Sequence, residues 1–314
     1  MLWVLLFLLV PALACAVTGW VMLCIGMRRR RRERTVECLL SRADTPAALY
    51  RAQMREGVAW ARAQNPIGVE TRSFDGLRLS GLYFPAEGKP RARLLLFHGY
   101  RDAALYDFSC VLRFYHDLGC ELLLVDQRSH GKSEGKYITF GILERYDCKA
   151  WAEFMNANYG ADVPTFLDGI SMGATTVLLA AGETLPENVR GVIADCGFSS
   201  AWEELAHVLK RDYHLPVFPF LHLLRAACRI LAGFDIKDGD VRCAMERCTL
   251  PVLFLHGEAD TFVPCWMSRA CHAACRGEKR LLTIPGAAHG MSYLTAKDTC
   301  EAALVEFLEK WAKV

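Results

Sequence analysis

The sequence predicts an α/β fold: a mostly parallel, eight-stranded sheet with helices on both faces and a helical cap, preceded by one N-terminal transmembrane helix. Three observations carry that expectation. Residues 1–27 contain no charged side chain. From residue 67 onward short apolar runs alternate with helical stretches, the pattern of a parallel sheet covered on both faces. One run stops at Gly169-Ile170-Ser171-Met172-Gly173 and a helix-forming stretch follows at once. That is the strand–turn–helix context in which a serine hydroxyl is lifted out of a sheet.

The elements follow in chain order. A bilayer core takes about 20 apolar residues, so residues 1–27 are long enough to span it with some tilt. Pro11 and Gly19 are tolerable in such a helix. The run from Arg28 through Arg34 follows, six arginines and one glutamate. A basic cluster on this flank places the C-terminal part in the cytoplasm. The expectation is therefore a single-pass protein of the cell membrane whose arginines meet anionic lipid headgroups, worth about 1 kcal/mol per residue near the surface. A cleaved signal peptide carries positive charge before its apolar run, and none stands here. Leu13-Ala14-Cys15 is similar to a lipoprotein cleavage site but lacks that basic segment. Fourteen scattered cysteines suit a reducing compartment. Outside the arginine cluster 31 basic residues face 34 acidic ones, so nothing points to a nucleic-acid partner.

Thr45-Pro46 reads as an N-cap with proline at the first helical position, opening an amphipathic helix to about Gln64. Strands are expected near 67–73 and 77–84, with Asp75-Gly76 as their turn, then near 93–97, 121–126, 165–167, 189–194, 252–255 and 279–284. The chain divides into an anchor (1–27), a basic juxtamembrane segment with linker helix (28–66) and a catalytic domain (67–314). Between the strands ending at 194 and starting near 252, a segment rich in Leu, Phe, His and Pro replaces the single helix the rhythm calls for. This insertion, about 199–248, is either a cap over the serine or extra helices that never touch substrate.

Two later strand ends supply partners for Ser171. One run ends in His256-Gly257-Glu258-Ala259-Asp260, the other in Pro285-Gly286-Ala287-Ala288-His289. All three residues stand just past an expected strand, and in an open parallel sheet those ends line one edge. A serine hydroxyl is a weak nucleophile and must pass its proton to a base, which His289 supplies near neutral pH. Asp260 would fix the imidazole tautomer and stabilise the imidazolium. The tetrahedral intermediate needs donors for its oxyanion, and the backbone N–H of Met172 is one.

Four motifs mark a resemblance: Leu96-Phe97-His98-Gly99-Tyr100, Asp126-Gln127-Arg128-Ser129-His130-Gly131-Lys132-Ser133, the Gly169–Gly173 pentapeptide, and His256-Gly257-x-x-Asp260 with Gly286-Ala287-Ala288-His289. Together they make residues 67–314 similar to serine hydrolases of the α/β-hydrolase superfamily. The nearest branch is that of bacterial esterases, monoacylglycerol-lipase-like enzymes and serine-aminopeptidase-like proteins. The resemblance implies the backbone N–H of Tyr100 as second oxyanion donor. It also implies a cap at the 199–248 insertion.

Some of these residues admit rival roles. Asp195 ends its own strand and is the alternative acid, read as structural. His98 reads as a support of the oxyanion loop, His256 as structural, and Asp126, Arg128 and Ser133 as braces of the loop after the fourth strand. Asp168 has no role that the sequence explains. Cys271-His272-x-x-Cys275 offers at most three ligands on one helix, so neither metal nor cofactor is expected. The reading is a membrane-anchored serine esterase acting on lipid-like or small apolar acyl esters through Ser171, His289 and Asp260. An aminopeptidase-like or acyl-peptide hydrolase and a thioesterase are the alternatives. A non-catalytic binding protein on the same fold is the remaining one.

Overall fold

The computed structural model describes residues 2–30 and 34–313, with side chains from residue 9 onward. Arg31, Arg32 and Glu33 of the basic cluster lie outside the described residues. Eight strands among those described form one sheet: β1 (Ile67–Arg72), β2 (Arg78–Phe84), β3 (Ala92–Phe97), β4 (Cys120–Asp126), β5 (Thr165–Ile170), β6 (Val189–Asp195), β7 (Val252–Gly257) and β8 (Lys279–Ile284). Their order is β1-β2-β4-β3-β5-β6-β7-β8. β2 is antiparallel to both neighbours and all other pairs are parallel.

Burial follows position in the sheet. Every residue of β3 and β7 is buried, whereas the edge strands β1 and β8 bury only one residue each, as expected of strands covered on both faces against strands covered on one. Trp151, Met155 and Leu178 fill the core on one face of the sheet; Phe84, Tyr115 and Phe307 fill the other. The core also encloses a charge. Arg93 on β3 is fully buried, and its Nε donates to Glu121 on β4 at 2.5 Å, while Tyr83 Oη donates to the same carboxylate at 2.7 Å. A buried ion pair is tolerable when its remaining polar atoms are satisfied; Asn156, Tyr159 and Gly160 accept the rest of the guanidinium.

The linker forms a 3₁₀ turn, Pro46–Tyr50, and then a helix, Arg51–Ala63. Thr45 is extended, but its hydroxyl makes no capping hydrogen bond; proline alone sets the start. The helix lies directly on backbone, for a Cβ at Gly57 would stand 1.9 Å from Ser109 O. Met54 and Val58 pack there with Leu40 and Ala47.

One described helix, Leu2–Gly26, is long and apolar enough to cross a membrane, a property signal sequences share. Its second half packs on the cap. Leu23 and Met27 join Leu221, Leu224, Phe198 and Met172 in one cluster. The insertion folds as helices Ala201–Tyr213 and Phe220–Ala227 with shorter turns after them.

Candidate active site

Ser171 sits between β5 and the helix Met172–Ala180 with φ 57° and ψ −116°, a strained conformation for a residue carrying a side chain. The flanking glycines make the turn possible. A Cβ at Gly169 would lie 2.3 Å from the Gly173 carbonyl group, and one at Gly173 would lie 1.8 Å from Phe97 O. The turn is held from the other side by Ser171 N–H donating to Asp195 O at 2.8 Å.

The three strand-end residues converge. Ser171 Oγ lies 2.9 Å from His289 Nε2, and His289 Nδ1–H donates to Asp260 Oδ2 at 2.7 Å. Asp260 Oδ1 accepts the N–H groups of Phe262 and Val263 at 2.8 and 2.9 Å. Burial pushes the Asp260 carboxyl up, but hydrogen bonds from His256 and His289 outweigh it and hold the group well below the usual carboxylate range. The aspartate is thus an anion fixed behind the imidazole. His256 stands behind it in turn, its Nε2 2.8 Å from Val263 O and 3.4 Å from Asp260 Oδ2, its Nδ1 2.7 Å from Ser268 Oγ.

Tyr100 and Met172 both stand beside Ser171, one on a neighbouring loop and one next in the chain. Met172 opens its helix, so its N–H is among those no helical carbonyl satisfies. The loop carrying Tyr100 approaches closely, for a Cβ at Gly99 would lie 3.5 Å from Ser171 Cβ. His98 supports that loop. Its Nδ1–H donates to Gly99 O at 2.8 Å and its Nε2 accepts Gln127 N–H at 3.2 Å. Complete burial lowers its pKa to about 4, so it is neutral.

Asp168, whose role the sequence does not explain, and the residues read as structural have partners here. Asp168 accepts from Tyr115 Oη at 2.8 Å, and burial raises it to about 7 despite that bond. Asp195 Oδ1 accepts from Ser292 Oγ at 2.8 Å and is not hydrogen-bonded to His289 among the described residues. Arg128 binds Asp147 and Asp75, and Ser133 Oγ donates to Asp126 O at 2.5 Å; both tie down the loop after β4. Cys196 lies close to Asp260 and His289, its ligand atom within 4.8 Å of theirs, as a fully buried thiol whose pKa burial raises. No such cluster includes Cys271, His272 or Cys275 among the described residues.

Several site residues escaped sequence reasoning. Asp107 Oδ2 accepts Gly99 N–H at 2.7 Å, and burial raises its pKa, as it raises that of neighbouring Asp102 to about 6. His130 Nε2 accepts Arg101 N–H at 3.0 Å. Tyr100 Oη donates to Gly26 O at 2.5 Å, joining the loop beside Ser171 to the end of the N-terminal helix. Asp102 and Asp107 have no motif or spacing to announce them, and the loop motifs that contain Tyr100 and His130 do not announce the bonds these side chains make. A cavity of about 550 Å³ opens over Ser171 and His289, walled by Tyr100, Asp102, Phe262 and, from the linker, Pro46 and Met54. Of the cap acids, Asp212 lines it paired with Arg211, and Glu203 pairs with Arg242 away from it. The buried Glu204 carboxyl has no hydrogen-bond partner among the described residues, and burial raises its pKa to about 8.

Comparison with known proteins agrees with this architecture. The family model described as "Serine aminopeptidase, S33" matches residues 88–213. The uncharacterised protein YqkD of Bacillus subtilis is 27% identical over 234 residues, 74% of this chain and 76% of its own. An esterase of Pyrococcus furiosus superposes with a TM-score of 0.64 at 22% identity, covering 80% of this chain and 94% of that one. An acylaminoacyl peptidase of Pyrococcus horikoshii does so with a TM-score of 0.59 at 17% identity, over 79% of this chain and 42% of that one. Strand order, elbow and matches together give the chain the α/β-hydrolase fold.

Proposed function

We propose that the chain is a membrane-anchored serine hydrolase that cleaves carboxylic esters of lipid-like or small apolar acyl groups, its catalytic domain on the cytoplasmic side. The observation that carries this reading is the unbroken hydrogen-bonded line from Ser171 Oγ through His289 to Asp260 at the floor of the cavity. His289 Nε2 takes the Ser171 proton as Oγ attacks the acyl carbon. The oxyanion is received by the Tyr100 and Met172 N–H groups, each typically worth on the order of 10²–10³ in turnover. His289 then returns the proton to the leaving alkoxide, and water repeats the sequence on the acyl-enzyme. No cofactor enters these steps. The anchor (1–27), the basic segment and linker (28–66) and the catalytic domain with its cap are the proposed divisions. The run Arg28–Arg34, of which Arg28, Arg29, Arg30 and Arg34 are described, is proposed to meet anionic headgroups.

Ser171→Ala tests the reading. It deletes one hydroxyl, so labelling by a fluorophosphonate and turnover of a short ester should both vanish while thermal unfolding stays close to that of the parent. Labelling that persists in this variant would overturn the assignment.

A second reading has one observation in its favour. Asp102 and Asp107 place two carboxyl groups in the cavity wall, where a substrate amine could dock, as an aminopeptidase-like hydrolase would need. Faster turnover of aminoacyl amides than of matched acyl esters would favour it.

A further inference from the structure

The N-terminal helix meets the cap partway along its length. Residues 9–17 are exposed; from Thr18 onward one face is covered, with Gly19, Leu23 and Met27 buried. Contact with the cap helix Phe220–Ala227 is close, for a Cβ at Gly19 would stand 2.7 Å from Leu223 O and 3.4 Å from Ala227 Cβ. The uncovered face of the same turns still presents Trp20, Val21 and Ile25 to the outside. The cap helix is flanked at its two ends by further exposed apolar side chains, Phe218 (73%) before it and Ile230 (79%) with Leu231 after it.

Length decides what these surfaces face. The stretch of this helix apolar enough to cross a membrane, Leu9–Gly26, rises about 27 Å at 1.5 Å per residue, against a hydrocarbon core of about 30 Å. A helix that spans with that stretch keeps the turn at residues 18–21 inside the apolar layer. That is a turn on which the cap helix is packed. The cap cannot stay in water while the backbone it touches at Gly19 lies in lipid. Charge agrees with this depth: Arg30, Arg34 and Arg101 line one small recess at the helix end, and exposed Arg229 precedes Ile230. Such side chains bury their stems and lift their heads to the phosphate layer.

We infer that the cap is a second membrane-embedded element: Phe218, Ile230 and Leu231 enter the acyl-chain layer beside the N-terminal helix, so the Ser171 cavity opens at the headgroup boundary and receives its ester from the lipid. The cavity wall at Tyr100 is one hydrogen bond from Gly26, which fixes it at that level. The inference rests on the membrane-anchored reading above and adds the cap and the route of substrate entry.

The full chain, reconstituted in phosphatidylcholine–phosphatidylglycerol vesicles containing a phosphatidylcholine with a diazirine in its acyl chain, provides the test. After illumination, mass spectrometry should find adducts in the N-terminal helix and also at residues 218–231. The double variant Ile230→Ser/Leu231→Ser should lose the cap adducts and turn over a vesicle-borne monoacylglycerol several-fold more slowly, with unchanged turnover of a water-soluble butyrate ester. Adducts confined to the N-terminal helix, or equal loss on both substrates, would overturn the cap's insertion while leaving the anchor intact. Adducts at neither place would overturn the anchor itself.

Discussion

Asp260 and Asp195 stand at the ends of adjacent strands and both are buried, yet only Asp260 is wired to the imidazole. Asp260→Asn would offer an amide where Nδ1–H needs a carboxylate, so turnover should fall by roughly 10⁴ with little loss of fold. Asp195→Asn should act on stability, through Ser292 Oγ. Steady-state kinetics on the two folded variants separates them, and greater damage from Asp195→Asn would reverse the roles. Asp168 makes a different prediction. Burial raises it to about 7 in the folded chain, above about 3.9 for the unfolded one, so the native state holds the extra proton between those values. Its contribution is therefore complete below about pH 4, is lost as pH rises toward 7, and is flat beyond. Asp168→Asn keeps an acceptor for Tyr115 and removes the titration. Denaturant unfolding at pH 5 and pH 8 should show the variant gaining on its parent at the higher pH; an unchanged difference would refute the buried-acid account. The sequence could show that Asp168 was odd. It could not show Tyr115, which lies 53 positions away.

At the scale of elements, the nucleophile elbow was legible because its constraint is local. Two glycines four positions apart report a turn whose neighbours leave no room for a Cβ. Gly173→Ala, which would press on Phe97 O, should cost about 3 kcal/mol or abolish soluble expression. Gly68→Ala on the edge strand β1 meets nothing within 4 Å and should shift the melting temperature little; a matching loss at both would remove the steric explanation. The strands were legible for a related reason, since burial on both faces demands continuous apolar runs. β5 ran three residues beyond the expected 165–167 because Asp168 and Gly169 break the apolar pattern yet keep the ladder with β3 and β6. The cap was visible only as an interruption of rhythm, because its helices are specified by packing on one another and on the N-terminal helix. Thr45 illustrates the limit in miniature: the residue type fits a cap, and its hydroxyl makes none.

At the scale of the whole molecule, the sequence divides the chain where the fold joins it. Residues 1–34 carry none of the proposed catalytic groups, so sequence alone leads one to expect that their removal leaves a soluble, active enzyme. The packing leads elsewhere. Gly26 O accepts from Tyr100 Oη, Ile25 O and Arg28 O accept from Arg101 at 2.7 and 3.1 Å, and Ile138 N–H donates to Met27 O at 2.7 Å. Leu23 and Met27 complete the cluster under the cap. Hydropathy could not forecast this, because in a uniformly apolar helix the face that packs is indistinguishable from the face that meets lipid. Removing residues 1–34 should therefore expose that cluster and loosen the loop that presents the Tyr100 N–H, lowering kcat on a short ester by about 10-fold or more, since misplacement on the order of 1 Å near reacting atoms can cost 10². Removing residues 2–17 alone, of which 9–17 are exposed, should leave kcat on that ester unchanged in detergent. Tyr100→Phe isolates the link without any truncation: kcat should fall with KM unchanged, and the protein should stay in the membrane fraction after carbonate washing. Full activity in both the 1–34 deletion and Tyr100→Phe would show that the helix end is only a tether.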